Sequence, residues 1–141
     1  MPSKVVYLDA SYAIALAASS DQLHERAVEV ADQLEAENVK MVTSRAVMLE
    51  IGNALAKQRY RKAAITLLDA MANDSNIEIA PLSEALFQEG WSLYQQRSDK
   101  EWGLTDCISF VLMKQRGLTD ALTADEHFRQ AGFRTLLNKD S

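Results

Sequence analysis

Four acidic residues have the chemistry and the chain positions to form one site: Asp9, Glu50, Asp106 and Asp125. Four carboxylates held close together repel each other unless a cation lies among them. No pair of His or Cys stands at metal-ligand spacing beside them, and carboxylate oxygens are hard ligands that suit Mg²⁺ or Mn²⁺. The residue types therefore indicate a site for a divalent cation.

Each acid also has an ordinary structural explanation. Asp106 stands at the start of a predicted helix, where an acid commonly caps the first turn and complements the helix dipole. Glu50 borders an apolar helix face, as many solvated rim residues do. Asp9 and Asp125 could each cap a strand-to-helix turn. Only a common location of all four favours metal binding over these separate roles.

Short apolar runs alternate with stretches of helical periodicity along the chain. Strands are predicted at residues 5–8, 41–43, 77–79 and 121–123, with a weaker candidate at 133–137. Helices are predicted at residues 11–18, 21–37, 45–57, 61–72, 83–97 and 105–116. This alternation predicts an α/β fold with a central parallel sheet of four to five strands flanked by helices.

The predicted fold brings the four acids to one edge of the sheet. Ligands of open α/β sheets bind outside the carboxyl ends of the strands. Asp9 and Asp125 follow strands directly, and Asp106 begins a helix that runs back antiparallel to them, so its start lies at the same edge. Glu50 is in the second turn of a helix that starts near Ser44. All four side chains are therefore expected to converge.

The length and composition predict a single domain over residues 1–141. The chain has 141 residues, 48% of them hydrophobic, and one cysteine, Cys107, which cannot form an internal disulfide. No apolar run approaches the roughly 20 residues of a membrane span, and the N-terminus does not resemble a signal peptide. We expect a cytoplasmic protein with no membrane association. The net charge of −5 argues against a broad basic surface, so nucleic acid would need a local basic patch or a bound metal.

Four segments resemble, in order, the motifs of PIN-domain proteins, and they are residues 6–11, 44–53, 102–110 and 122–128. The resemblance covers nearly the whole chain and is strongest to VapC-type and stand-alone bacterial or archaeal PIN proteins. It places the family's metal-binding acids on Asp9, Glu50, Asp106 and Asp125. It places frequent polar companions of those acids on Ser11, Asn53 and Thr123.

This resemblance implies an endoribonuclease that hydrolyses RNA phosphodiester bonds with one or two Mg²⁺ or Mn²⁺ ions. Products with a 5′-phosphate and a homodimeric protein are further family expectations. Many VapC-type proteins are toxins held by a cognate antitoxin, whereas other PIN proteins have no such partner. The sequence leaves both roles open.

A local basic run is the one segment that could contact RNA phosphates, through Lys57, Arg59, Arg61 and Lys62. A solvated helix junction is the simpler interpretation of this run. Tyr12 and Trp102 could stack on bases, although packing is the commoner role of such aromatics. We assign structural roles to His24 and His127. Asp99, in the loop before Trp102, and Asp120, which precedes its strand at the opposite edge of the sheet, also lie near the motifs, and we leave these two acids outside the site.

Three other classes of protein compete with a nuclease. A phospho-receiver domain needs an acceptor Asp at the end of the third strand, where this chain has Ala80 and Pro81. An Asp-based phosphatase of the haloacid-dehalogenase type needs a second Asp at the position of Ser11. A non-catalytic PIN-like binding module is disfavoured by the intact set of acids, and a chelator-sensitive ribonuclease assay separates it from an enzyme.

Overall fold

Five parallel strands form the centre of the molecule in a computed structural model that describes residues 4–138. They are β1 Val5–Leu8, β2 Lys40–Ser44, β3 Ile77–Ala80, β4 Asp120–Leu122 and β5 Arg134–Thr135. The strand order is β3-β2-β1-β4-β5, which confirms the predicted α/β class. The chain termini of the predicted domain, residues 1–3 and 139–141, lie outside the described residues.

The described residues form seven helices around this sheet. They are α1 Ala10–Ala17, α2 His24–Ala36, α3 Arg45–Ala54, α4 Gln58–Asn73, α5 Glu84–Gln96, α6 Leu104–Gln115 and α7 Glu126–Gln130. The six predicted helices are present, with shifted ends. Within residues 4–138, no helix is both long enough and apolar enough to cross a membrane.

The central strand β1 is covered on both faces. Val6, Tyr7 and Leu8 are all buried, as expected of a parallel strand between two helical layers. Because β1 pairs with β2 on one side and β4 on the other, the residues that follow these three strands meet at one edge. This edge carries the candidate site.

An aromatic cluster holds the starts of α6 and α7 beside the sheet. The ring of Phe110 packs edge-on against Phe128, with centroids 4.9 Å apart, and against Trp102 at 5.0 Å. On the other side of α6, the small residue Gly90 lets α5 approach closely. A Cβ at that position would lie 2.5 Å from Ile108 Cγ1 and 3.1 Å from its Cα. The packing fixes α6, and with it the position of Asp106.

Candidate active site

Asp9 is the most deeply buried acid of the candidate site. It directly follows β1 and is only 5% exposed. Its Oδ2 accepts hydrogen bonds from Thr123 Oγ1 at 2.8 Å and from Ser11 Oγ at 3.0 Å. Burial raises the pKa of Asp9, the bonds from Thr123 and Ser11 oppose this rise, and the charge of Asp106 adds to it. Among the described residues, only neutral donors hold the buried carboxyl group of Asp9 in place.

Thr123 connects the ends of β1 and β4. Its hydroxyl donates to Asp9 and also accepts a hydrogen bond from the backbone N–H of Asp125 at 3.0 Å. Ser11 Oγ lies 3.1 Å from the same hydroxyl. Because Thr123 is fully buried, it fixes the backbone that carries Asp125 relative to Asp9.

Asp106 projects from the first turn of α6. Its Oδ2 accepts a hydrogen bond from the backbone N–H of Gly103 at 3.1 Å and lies 3.0 Å from His127 Nδ1. Burial raises the pKa of Asp106, the contacts with His127 and Gly103 oppose that rise, and the charge of Asp125 adds to it. The helix-capping role considered for Asp106 is thus present, together with a contact across the site.

Asp125 caps α7 and brings His127 to the acids. Its Oδ1 accepts a hydrogen bond from the backbone N–H of His127 at 2.9 Å and lies 3.6 Å from the Nδ1 atom of that ring. One ligand atom each from Asp106, Asp125 and His127 can be chosen so that all three lie within 4.8 Å of one another. A single cation could contact these three groups.

Glu50 faces the same cluster from α3. Its pKa is raised from 4.5 to about 7, first by burial and then by the charges of the three other acids, Asp9, Asp106 and Asp125. Glu50 is only partly buried and lies within electrostatic range of these three carboxyl groups. The four acids thus lie at one edge of the sheet, and Asp106 and Asp125 are close enough to share a cation with His127.

The polar companions differ in their placement. Ser11 and Thr123 contact Asp9 directly. Asn53 is exposed in the last turn of α3, and its side chain makes no hydrogen bond within residues 4–138. The structure thus offers no contact through which Asn53 would orient an acid.

Two further acids near the motifs, Asp120 and Asp99, lie apart from the cluster. Asp120 begins β4, at the opposite edge of the sheet, and forms an ion pair with Arg134. Asp99 is paired with Arg97 in the loop before α6. The basic residues at 57–62 are exposed around the start of α4, and their contact with RNA stays a prediction.

The sequence predicts a structural role for His127, and the structure places its ring against two acids of the site. Its ring lies between Asp106 and Asp125, so the donor set contains an imidazole nitrogen besides carboxylate oxygens. The sequence signal was the spacing of Asp125 and His127 at the start of a short helix. An N-cap acid that accepts the N–H of the residue two positions later lies close to that residue's side chain.

The donor set fits a divalent cation. Within residues 4–138, no Lys or Arg forms an ion pair with any of the four acids, and His127 is the one basic side chain in contact with them. Partly buried carboxylates without a cationic partner are costly. Burial and, to a smaller extent, mutual repulsion raise the pKa values of Asp9, Glu50 and Asp106. A hard divalent ion bound to these oxygens would stabilise their ionised forms against both effects.

The parallel sheet, with four acids near the edge formed by the carboxyl ends of its strands, indicates the class of protein. The chain belongs to the PIN domain family, because the model of that family matches residues 6–134. This match confirms the resemblance drawn from the four sequence segments.

Individual proteins of known function are also similar to this chain in sequence and in fold. The 23S rRNA-specific endonuclease VapC20 of Mycobacterium tuberculosis is 25% identical over 130 residues, which are 92% of this chain and 95% of that protein. The crystal structure of M. tuberculosis VapC20, described as a toxin that cleaves the sarcin-ricin loop, has a TM-score of 0.79 at 23% identity. The structural match covers 91% of this chain and 95% of that chain.

Two further solved structures share the fold. VapBC2 from Rickettsia felis, bound to a DNA fragment from its promoter, gives a TM-score of 0.67 at 15% identity, covering 93% of this chain and 96% of that one. FitAcB from Neisseria gonorrhoeae gives 0.63 at 20% identity, covering 92% and 95%. Both likenesses concern the fold.

Proposed function

We propose that this protein is a metal-dependent endoribonuclease that hydrolyses RNA phosphodiester bonds at the four-acid cluster. The observation that carries the proposal is the convergence of Asp9, Glu50, Asp106 and Asp125 without a Lys or Arg partner within residues 4–138. The activity of the mycobacterial relative, an rRNA-specific endonuclease, supports RNA as the substrate class.

The four acids would hold Mg²⁺ or Mn²⁺. When bound, such an ion activates water as the nucleophile and stabilises charge on the scissile phosphate. Asp9 is kept in one orientation by Ser11 and Thr123, and Asp106 by the N–H of Gly103. These bonds pre-organise the carboxylates, so that little rearrangement is needed when the cation and the phosphate arrive.

The charge distribution of the protein determines how strongly it attracts or repels RNA. The net charge of −5 repels RNA at long range, and the acid cluster repels phosphate at short range unless metal is bound. We propose that the exposed basic residues at the α3–α4 junction supply the remaining attraction, and these are Lys57, Arg59, Arg61 and Lys62. An open depression lined by Lys57, Gln58 and Arg59 lies there.

We further propose that the protein works with a cognate antitoxin and forms a homodimer. The VapC-type relative is described as a toxin, and VapBC2 is bound to a fragment of promoter DNA. An antitoxin that covers the acid cluster would hold the nuclease inactive until the complex separates. We also propose that the four acids are the catalytic residues, that activity depends on Mg²⁺ or Mn²⁺, and that the protein is cytoplasmic.

The test is cleavage of structured RNA by the purified protein with and without Mn²⁺. We expect cleavage that stops in excess chelator and in Asp9→Asn, while Asp32→Asn removes one exposed carboxylate from α2 and leaves the rate unchanged. Metal binding without cleavage of any RNA would favour the non-catalytic binding module. Cleavage that persists in chelator, or in Asp9→Asn, would refute the assignment.

A further inference from the structure

The imidazole of His127 lies between two carboxyl groups of the candidate site. Its Nδ1 lies 3.0 Å from Asp106 Oδ2 and 3.6 Å from Asp125 Oδ1. In octahedral coordination with metal–ligand distances of about 2.1 Å, two neighbouring ligand atoms lie about 3 Å apart. The spacing of the nitrogen and the two oxygens therefore suits one shared cation with only small side-chain movements.

The backbone around His127 holds the ring at this position. The N–H of His127 donates to Asp125 Oδ1 at 2.9 Å, and Phe128, the next residue, is fully buried against Phe110. The first turn of α7 is thus fixed on both sides. The ring itself keeps 32% of its side-chain surface exposed, so it can adjust without disturbing the core.

The second ring nitrogen of His127 allows Nδ1 to exchange its hydrogen bond with Asp106 for a bond to metal. Without metal, Nδ1 donates its proton to Asp106 Oδ2. Within residues 4–138, Nε2 makes no hydrogen bond, so the ring proton can move to Nε2 when a cation takes the place of the proton between Nδ1 and Asp106. The neutral tautomer with the proton on Nε2 has its lone pair on Nδ1, which is the atom between the two carboxylates.

We propose that His127 is itself a ligand of the divalent cation and binds it through Nδ1 together with Asp106 and Asp125. The inference rests on the proposed function, since it concerns the same metal site. It gives the site a mixed nitrogen and oxygen donor set in place of the oxygen-only set expected from the sequence.

A nitrogen ligand changes which metals the site prefers. Imidazole suits Zn²⁺ and other late transition metals best, and Mg²⁺ favours oxygen ligands and retains its water. Mn²⁺ also prefers oxygen but accepts a nitrogen ligand more readily than Mg²⁺ does. The wild-type protein should therefore bind Mn²⁺ more tightly than Mg²⁺. His127→Ala should weaken Mn²⁺ binding by at least about tenfold, the lower end of the cost of losing even an outer-shell partner, and should weaken Mg²⁺ binding less.

The alternative role of His127 is to orient Asp106 by a hydrogen bond without touching the metal. The two roles differ in one spectroscopic property. A ligating imidazole nitrogen gives hyperfine modulation in the pulsed electron paramagnetic resonance spectrum of bound Mn²⁺, whereas a ring outside the coordination sphere does not give that coupling.

The chain offers a matched control because it contains only two histidines. His24 lies at the start of α2, with its Nδ1 2.8 Å from the carbonyl oxygen of Ala15. Imidazole modulation should appear in the untagged wild-type protein loaded with one equivalent of Mn²⁺. It should remain in His24→Ala and disappear in His127→Ala, with His127→Gln as a second variant that retains a polar side chain.

Several results would overturn the inference, and they are distinguishable from failure of the proposed function. Bound Mn²⁺ and RNA cleavage without imidazole modulation in wild type would refute the role of His127 and leave the nuclease standing. Modulation that survives in His127→Ala but vanishes in His24→Ala would also refute it. Absence of any Mn²⁺ binding to wild type would overturn both the inference and the metal-dependent site.

Discussion

Removal of the charge on Glu50 should stabilise the metal-free protein at alkaline pH. The substitution Glu50→Gln keeps the size and shape of the side chain and removes its ability to ionise. In the wild-type protein the pKa of Glu50 is raised from 4.5 to about 7 by burial and by the charges of Asp9, Asp106 and Asp125. The folded protein therefore binds the Glu50 proton more tightly than the unfolded chain does.

The sign follows from this difference in proton binding. Below pH 4.5 Glu50 is protonated in both the folded protein and the unfolded chain, so it does not change the free energy of unfolding. Between pH 4.5 and about 7 the unfolded chain ionises while the folded protein retains the proton, so Glu50 increasingly lowers the free energy of unfolding. Above pH 7 this reduction is complete. Each factor of ten in proton affinity corresponds to about 1.4 kcal/mol, so the shifted pKa of Glu50 would lower the free energy of unfolding by about 3 kcal/mol. Since Glu50 is partly exposed, solvent screening reduces this to about 1–2 kcal/mol.

Thermal unfolding with excess chelator measures the effect. For a domain of this size, about 1–2 kcal/mol corresponds to a rise in Tm on the order of 3–8 °C. We expect that rise for Glu50→Gln at pH 8, little change at pH 4.5, and a smaller further rise on addition of Mn²⁺ than in wild type. Glu35→Gln, which neutralises an exposed acid of α2, should show no such pH dependence. Equal or lower stability of Glu50→Gln at pH 8 would refute the electrostatic reasoning.

Three further substitutions test individual contacts. Ser11→Ala removes one of the two side-chain hydrogen bonds to Asp9 and should lower the RNA cleavage rate about 10- to 100-fold. Asn53→Ala should lower the rate less in the same assay. Equal losses in the two variants would assign Asn53 a direct role. Thr123→Val removes the hydroxyl that hydrogen-bonds to both Asp9 and Asp125 and should lower the free energy of unfolding by about 1–3 kcal/mol. An unchanged midpoint of denaturant unfolding would contradict the importance of these hydrogen bonds. Gly90→Ala places a Cβ 2.5 Å from Ile108 Cγ1 and should cost about 1–3 kcal/mol through overpacking; a neutral result would mean that α5 moves away freely.

The central strands and the edge at which the acids meet follow from short-range patterns in the sequence. The run Val5–Leu8 is continuously apolar, which is the pattern of a strand covered on both faces, and its bounds match β1. The helix start at Ser44 is marked by a residue type that caps helices, and its hydroxyl accepts the N–H of Val47. Such local signals are sufficient to order the elements.

Some helix and strand boundaries differ from those predicted from the sequence. The helix predicted at 45–57 ends at Ala54, and α4 begins at Gln58, three residues earlier than expected, because polar residues at a helix junction carry no periodic signal. The strand predicted at 133–137 shrinks to Arg134–Thr135, since only those residues pair with β4. Neither difference moves an acid of the site.

The site itself was only partly predictable. The positions of the four acids follow from the topology, because strand ends and helix starts are fixed by the fold. The contact of His127 with Asp106 spans two helices and depends on how Phe128 packs against Phe110. Asn53 matched a motif position yet lies exposed, because a motif does not specify side-chain direction in the last turn of a helix.

The most direct test of the central claim is a titration in which bound Mn²⁺ and the RNA cleavage rate are followed in the same samples. If the acid cluster holds the catalytic metal, the rate should rise from zero with the fraction of protein that has Mn²⁺ bound, with one common midpoint. Both signals should be lost in Asp106→Asn and retained in Asp32→Asn. Cleavage at full rate before Mn²⁺ binds, or Mn²⁺ binding and cleavage that persist unchanged in Asp106→Asn, would contradict it.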